Sequence, residues 1–147
     1  MDLQGMLGGL STNYALGADI DATATSGWAN KFTSVGSSVT AFTGDFEGLA
    51  HTISNLTVLG GAEGGLFGKV SYATIKDLTL DTVTATGSTY TGSLIGSADY
   101  ATVSNVTAKD VAVSGGTTSA KGGLIGLVNY STLSNISTTG DSNIDKG

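Results

Sequence analysis

The sequence predicts an all-β chain folded as a stacked array, a β-solenoid of about four recognisable rungs behind an N-terminal capping segment. Three observations predict it. The block GGLFGKVSYATIKDLTL, from Gly64 to Leu80, returns as GSLIGSADYATVSNVTA from Gly92 and as GGLIGLVNYSTLSNIST from Gly122. A period of that size marks units that bury apolar columns against their neighbours. The composition reads as strand and turn throughout: Gly is 23 of 147, Pro and Cys are absent, and Thr, Val and Ile alternate with Ser, Asn and Gly. Finally, four segments close on one short pattern, an apolar residue, a polar one, Asn or Asp, and a second apolar residue.

Composition also excludes function classes. Charged residues are 12%, about half the usual ~25%, while hydrophobic residues reach 39% and recur in register, which disorder does not do. The net charge is −6 and the lysines are scattered, so a phosphate backbone has no electrostatic footing and no nucleic acid partner is expected. The longest apolar run, near Leu124 to Val128, is too short for membrane insertion. Met1 is followed at once by Asp2 with no basic or apolar leader, which reads as the start of a fragment.

The first 41 residues do not carry the repeat. They are expected to form an N-terminal strand, loop and cap, with residues 42–147 as the repeat rungs of one domain. Tyr14, Leu16, Ala18 and Ile20 alternate with Ala15, Gly17 and Asp19, which predicts one half-buried strand. Residues 22–41 hold Ser26-Gly27 and SVGSS and are expected to leave the array and return. Trp28 and Phe32 on that excursion would pack over the open end of the stack.

At Phe42 a shortened period begins, FTGDFEGLAHTISNLTV. Its ending aligns Ile53-Ser54-Asn55-Leu56 with Ile75-Lys76-Asp77-Leu78, Val103-Ser104-Asn105-Val106 and Leu133-Ser134-Asn135-Ile136. Two buried residues of a flat strand are an even number apart, because side chains alternate faces. Here they are three apart, so a corner must lie between them. Asn55, Asp77, Asn105 and Asn135 occupy it, the residue types besides Gly that best tolerate left-handed backbone. Stacked corners predict a ladder of these side chains. Sequons at Asn55, Asn105 and Asn135 would then be inaccessible to glycosylation, whereas Asn129 would be freer.

In the preceding strand Leu66, Leu94 and Leu124, Gly68, Gly96 and Gly126, and Val70, Ala98 and Val128 share one parity and are placed inside. Phe67, Ile95 and Ile125 then point outward, covered by an insert or exposed to a partner. The segments after the signature, Thr82 to Thr91 and Val111 to Lys121, lengthen from rung to rung and are expected as inserts on one edge.

The repeated GGLFG, GSLIG and GGLIG, with the trailing signature, resemble the GLUG motif of bacterial surface proteins. NYALGADIDATATSGW followed by FTGDFEGLAHTISNLTV is similar to the segment that precedes those motifs in filamentous-haemagglutinin-like adhesins and autotransporters. The same repeats also occur in secreted IgA-cleaving metallopeptidases, outside their catalytic domains. The resemblance spans the chain from about Leu3 onward and implies a right-handed parallel β-helix, secreted or on the bacterial cell surface. Two departures are plain: no Pro near FTSVGSS, and Gly48-Leu49-Ala50-His51 with Ala where a second Gly is common.

No enzyme is expected. Polysaccharide-cleaving β-helices need converging carboxylates and a cation, and here Asp45, Glu47 and His51 form the single compact cluster, with Asp45 and Glu47 on one strand face. One His and no Cys leave a soft metal without ligands, and no cofactor is implied. Asp19 and Asp21 could offer oxygen to calcium or simply close a turn. Thr82 to Thr86 begins a threonine row that Asp110 and Ala112 interrupt. Tyr72, Tyr100 and Tyr130 hold equal positions in three rungs, so they either offer a flat face to sugar rings or pack at a corner. The expected function is structural or adhesive, with multivalent contact to a host-surface or matrix glycan or protein. The alternative is end-to-end self-association through the open last rung.

Overall fold

The computed structural model of the chain describes residues 3–115, 120–140 and 143–144. Among these residues every strand pairing is parallel, and the chain visits four sheets in turn. A long sheet stacks Asp45–Ser54, Thr74–Asp81, Thr102–Lys109 and Thr132–Thr139, with Tyr14–Ala15 and Ile20–Asp21 on its first edge. From it the chain passes to a second sheet of Thr57–Leu59, Thr84–Gly87, Ala112–Gly115 and Asn143–Ile144. A third sheet follows, of Glu63–Gly64, Tyr90–Thr91 and Ala120–Lys121, then a fourth, of Phe67–Ser71, Ile95–Asp99 and Ile125–Asn129. The fold is therefore a parallel β-solenoid of about four turns. No helix among the described residues is long and apolar enough to cross a membrane.

Left-handed residues turn each rung. Asp77, Asn105 and Asn135 have φ of 55°, 53° and 51°. This lets Ile75 and Leu78, three apart, both bury their side chains while Lys76 stays exposed. Five residues later Thr82, Asp110 and Gly140 form a second corner column, with φ of 59°, 53° and 72°. A third column is Tyr72, Tyr100 and Tyr130, with φ of 53°, 50° and 47°.

One continuous core runs through the stack. Its N-terminal end is aromatic: Phe42 and Phe46 lie with ring centroids 4.9 Å and 5.4 Å from Phe67, and Phe32 is buried beside them in the same cluster. Later levels hold no phenylalanine and are filled by Leu94, Ile95 and Leu124 with the smaller Ala98, Ala101, Val103, Val106 and Ala108. A 3-10 helix, Leu3–Gly8, buries Leu3 and Met6 in the core and forms an N-terminal helical cap. At the other end Leu124, Ile125, Val128, Leu133 and Ile136 line an open groove of about 300 Å³. Gly96 and Gly126 are where the fourth sheet meets the third. A Cβ on Gly96 would lie 2.9 Å from the Tyr90 carbonyl oxygen, and one on Gly126 2.6 Å from the Thr91 nitrogen.

Several expectations need correction. The strand predicted from Tyr14 to Ile20 is two short ones, Tyr14–Ala15 and Ile20–Asp21, because Gly17, Ala18 and Asp19 bulge into water where the partner strand also bulges. Residues 22–41 do not simply leave the array: Phe32 pairs with Val58 and Val35 with Phe67, and then Phe42 pairs with Val70. They make a partial rung. Phe32 thus fills a level of the stack rather than its end, and Trp28 remains 43% exposed. Phe67 and Ile95 are fully buried and do not point outward. Phe67 and Val70 are both inside, so strict alternation, on which the outward placement rested, fails within this strand. The segments after the signature are not edge inserts either. Thr84–Gly87 and Tyr90–Thr91 are walls of the rung, as are Ala112–Gly115 and Ala120–Lys121. Residues 116–119 of the second supposed insert lie outside the described residues, as do 141–142 and 145–147 of the last rung.

Candidate functional site

The long sheet carries its polar side chains outward, between the tyrosine corner and the second corner column. The Asp77, Asn105 and Asn135 side chains are joined along the stack: Asn105 Nδ2 donates to Asp77 Oδ1 at 3.0 Å, and Asn135 Nδ2 to Asn105 Oδ1 at 3.1 Å. The Asn105 amide is the main reason the Asp77 carboxyl titrates below its ordinary value. Asn55 does not join this column. Ser54 pairs with Asp81, so Asn55 stands level with Thr82, and its Nδ2 donates to Asp21 Oδ1 at 3.2 Å. The first full rung bulges between Glu47 and His51 and places Leu49 and Ala50, φ 51° and 62°, where later rungs have one Asp or Asn. Asn105 and Asn135 are exposed, not hidden as the sequons suggested, although their amides are engaged. Asn129 is tied down, donating to Asp99 Oδ1 at 2.9 Å.

The acidic groups singled out from the sequence serve the fold's turns. Asp19 accepts from the Thr52 backbone nitrogen at 2.9 Å and contacts His51 Nδ1 at 3.1 Å. Asp21 accepts from the Thr23 nitrogen at 3.0 Å, from the Thr23 hydroxyl and from Asn55. These bonds, led by the Thr52 nitrogen for Asp19 and the Thr23 hydroxyl for Asp21, hold both carboxyls below their ordinary value. Glu47 pairs with Lys76 at 3.1 Å, which holds the lysine ammonium above its ordinary range. His51 turns to Asp19 instead, so Asp45, Glu47 and His51 do not converge. No group of three or more His, Cys, Asp or Glu among the described residues could hold a metal ion.

The tyrosines make the most unusual feature of the surface. Tyr72 and Tyr100 stack at 4.9 Å and 2°, Tyr100 and Tyr130 at 5.1 Å and 11°, and their exposures are 72%, 50% and 82%. Stacking occupies both faces of Tyr100, so the ladder presents ring edges, hydroxyls and its two outermost faces. That replaces the row of free flat faces that three aligned tyrosines suggested. Each is also a bulky residue in left-handed backbone, a strain of roughly 1–3 kcal/mol, against roughly 0.5–1.5 kcal/mol for each stacked pair. Two pairs do not offset three strained residues, and the two other corner columns of these rungs use Asp, Asn, Thr or Gly. Beside the ladder runs a second one missed from sequence: Lys69 Nζ bonds Asp99 Oδ2 at 2.7 Å, and Asn129 bonds the other Asp99 oxygen. The lysine is the first cause of the lowered Asp99 titration. The alignment of Asp99 with Asn129 was the signal for one half of it, whereas Lys69 is level with Ser97 and reaches Asp99 diagonally.

On the other flank the long sheet changes character along the stack. Its first two full levels present Asp45, Glu47, Lys76 and Asp77. The next two present Thr102, Ser104, Asn105 and Thr107, paired in register with Thr132, Ser134, Asn135 and Ser137, and carry no charge between Thr102 and Thr107 or between Thr132 and Thr139.

A family model described as the M26 IgA1-specific Metallo-endopeptidase N-terminal region matches residues 3–115. No curated protein and no solved structure matched. The match takes in the cap, the partial rung and the levels up to Ala112–Gly115, and it overturns the GLUG-repeat and adhesin assignment. The motifs behind that likeness, glycine spacers and Asn corners, specify how this solenoid turns and closes.

Proposed function

Because this chain belongs to the family of M26 IgA1-specific metallo-endopeptidase N-terminal regions, we propose that it serves as a non-catalytic scaffold of a secreted bacterial peptidase, adding weak repeated contacts along its surface. The observation that carries this reading is the combination of an unbroken parallel stack with carboxylates spent on turns and ladders. Parallel pairing at about 4.8 Å per strand makes the described stack a short, stiff block. Side chains in equal register present the same chemistry at each level, and linked weak contacts add through effective concentration.

The test uses the purified chain with zinc and intact IgA1. The expected result is an undigested heavy chain on a denaturing gel and a single cooperative unfolding transition. Zinc-dependent cleavage by the chain alone would overturn the reading. End-to-end growth, the alternative reading, is disfavoured by the cap: Leu3 and Met6 occupy the N-terminal end of the core that a second copy's last rung would need. A mass independent of concentration in sedimentation is the expected outcome, and filaments would restore that alternative.

A further inference from the structure

We propose that the uncharged part of the long sheet's outer face, with Tyr100 and Tyr130 as its aromatic border, binds a neutral polysaccharide. The inference deepens the contact role proposed above and rests on it. Two independent features point to this ligand class. The tyrosines are strained, exposed and stacked at a corner, whereas the neighbouring corner columns of the same rungs use Asp, Asn, Thr or Gly, so their rings are held outward at the cost of stability. The face beside them is two registered rows of hydroxyls and amides, Thr102, Ser104 and Asn105 over Thr132, Ser134 and Asn135. Those groups both donate and accept, as sugar hydroxyls do.

Charge then selects among polyhydroxylated ligands. The chain carries −6 overall, Asp99 on the far flank is paired with Lys69 and Lys76 one level below with Glu47, and no charge lies between Thr102 and Thr107 or between Thr132 and Thr139, Lys109 standing beyond them at the strand's end. A polyanionic glycan is therefore repelled and a neutral one is not. The ring geometry sets the mode of contact: sugar C–H groups meet the exposed ring edges of Tyr100 and Tyr130, while hydroxyls bond the Thr and Ser rows.

Affinity electrophoresis tests the proposal with galactomannan and hydroxyethylcellulose as neutral probes and carboxymethylcellulose as the anionic one. The full chain should be retarded by a neutral probe and not by the anionic one. Tyr130→Ala should weaken retardation about tenfold, Tyr130→Phe should keep it, and Thr132→Val should weaken it less. Tyr130 is 82% exposed, so these variants should fold, and circular dichroism checks that they do. No retardation by either neutral probe, unchanged retardation of Tyr130→Ala, or stronger retardation by carboxymethylcellulose would overturn it. So would competition by reduced casein but not by free galactomannan, which would assign the face to protein. Failure here leaves the scaffold reading standing, because that is decided by the IgA1 assay.

Discussion

The first two full levels of the long sheet, residues 45–54 and 74–81, and the last two, residues 102–109 and 132–139, share a backbone course but differ in filling and facing. The earlier pair sits over Phe42, Phe46 and Phe67 and under a helical cap, and presents a Glu47–Lys76 ion pair to water. The later pair is filled by Val103, Val106 and Ala108 with Leu133 and Ile136, borders an apolar groove, and presents hydroxyls and amides with Lys109 at their margin. Corners, not core identity, set the path of the chain. Stability therefore concentrates at one end, and surface chemistry is free to diverge at the other.

The largest effect that would sharpen this contrast comes from truncating the core. Phe67→Ala should cost ~3–5 kcal/mol in urea unfolding, because the ring is fully buried between two others. Ile136→Ala, at a partly buried position beside the open groove, should cost well under half of that. Equal losses would break the comparison. Next is the seam between sheets. Gly96→Ala should lose ~1–3 kcal/mol, since its Cβ would lie 2.7 Å from the Gly68 carbonyl oxygen, and overpacking forces the backbone to shift. Gly17→Ala, with nothing within 4 Å, should show no such loss.

A smaller effect separates ladder from corner. Asn105→Ala removes the bonds to Asp77 and from Asn135 and also strains the left-handed position, for roughly 1–2 kcal/mol in all. Asn105→Gly keeps the corner and loses only the bonds, so its smaller deficit in thermal unfolding isolates the ladder. The mildest perturbation is acid. Asp19, Asp21, Asp77 and Asp99 all titrate below their ordinary value, so their contribution is complete above about pH 4 and disappears as the pH falls through the lowered values. None lies in the last level. Hydrogen exchange at pH 3 against pH 6 should therefore show lost protection first at residues 45–54 and 74–81, and uniform loss would contradict the contrast.

Much of this was legible in the sequence, for physical reasons. A period in which Ile75 and Leu78 stand three apart around Asp77 can be satisfied only by a turn, and the stack follows. The first rung was not legible. Gly48-Leu49-Ala50 supplies two left-handed residues without the Asn or Asp that marks the other corners, so Asn55 looked like a member of a column it does not join. The partial rung was equally hidden, because Phe32, Val35 and Phe42 each pair through a single bridge that leaves no alternation to read. The burial of Phe67 was lost to an assumption of strict alternation. On the surface, the tyrosines were visible as a column, but their mutual stacking depends on ring orientation, which spacing does not encode.

The left-handed residues also divide each rung into a constant and a variable part. Tyr72, Asp77 and Thr82, then Tyr100, Asn105 and Asp110, then Tyr130, Asn135 and Gly140 keep the same five-residue steps, whereas the stretches from Asn55 to Tyr72, Thr82 to Tyr100 and Asp110 to Tyr130 lengthen in turn. The registers locate that growth: one residue entered between the third and fourth sheets, where three steps from Gly64 to Phe67 become four from Thr91 to Ile95, and two entered between the second and third, where three steps from Gly87 to Tyr90 become five from Gly115 to Ala120. That junction is a natural grafting point. Foreign peptide spliced there would be displayed sideways from the block while the long sheet kept its register.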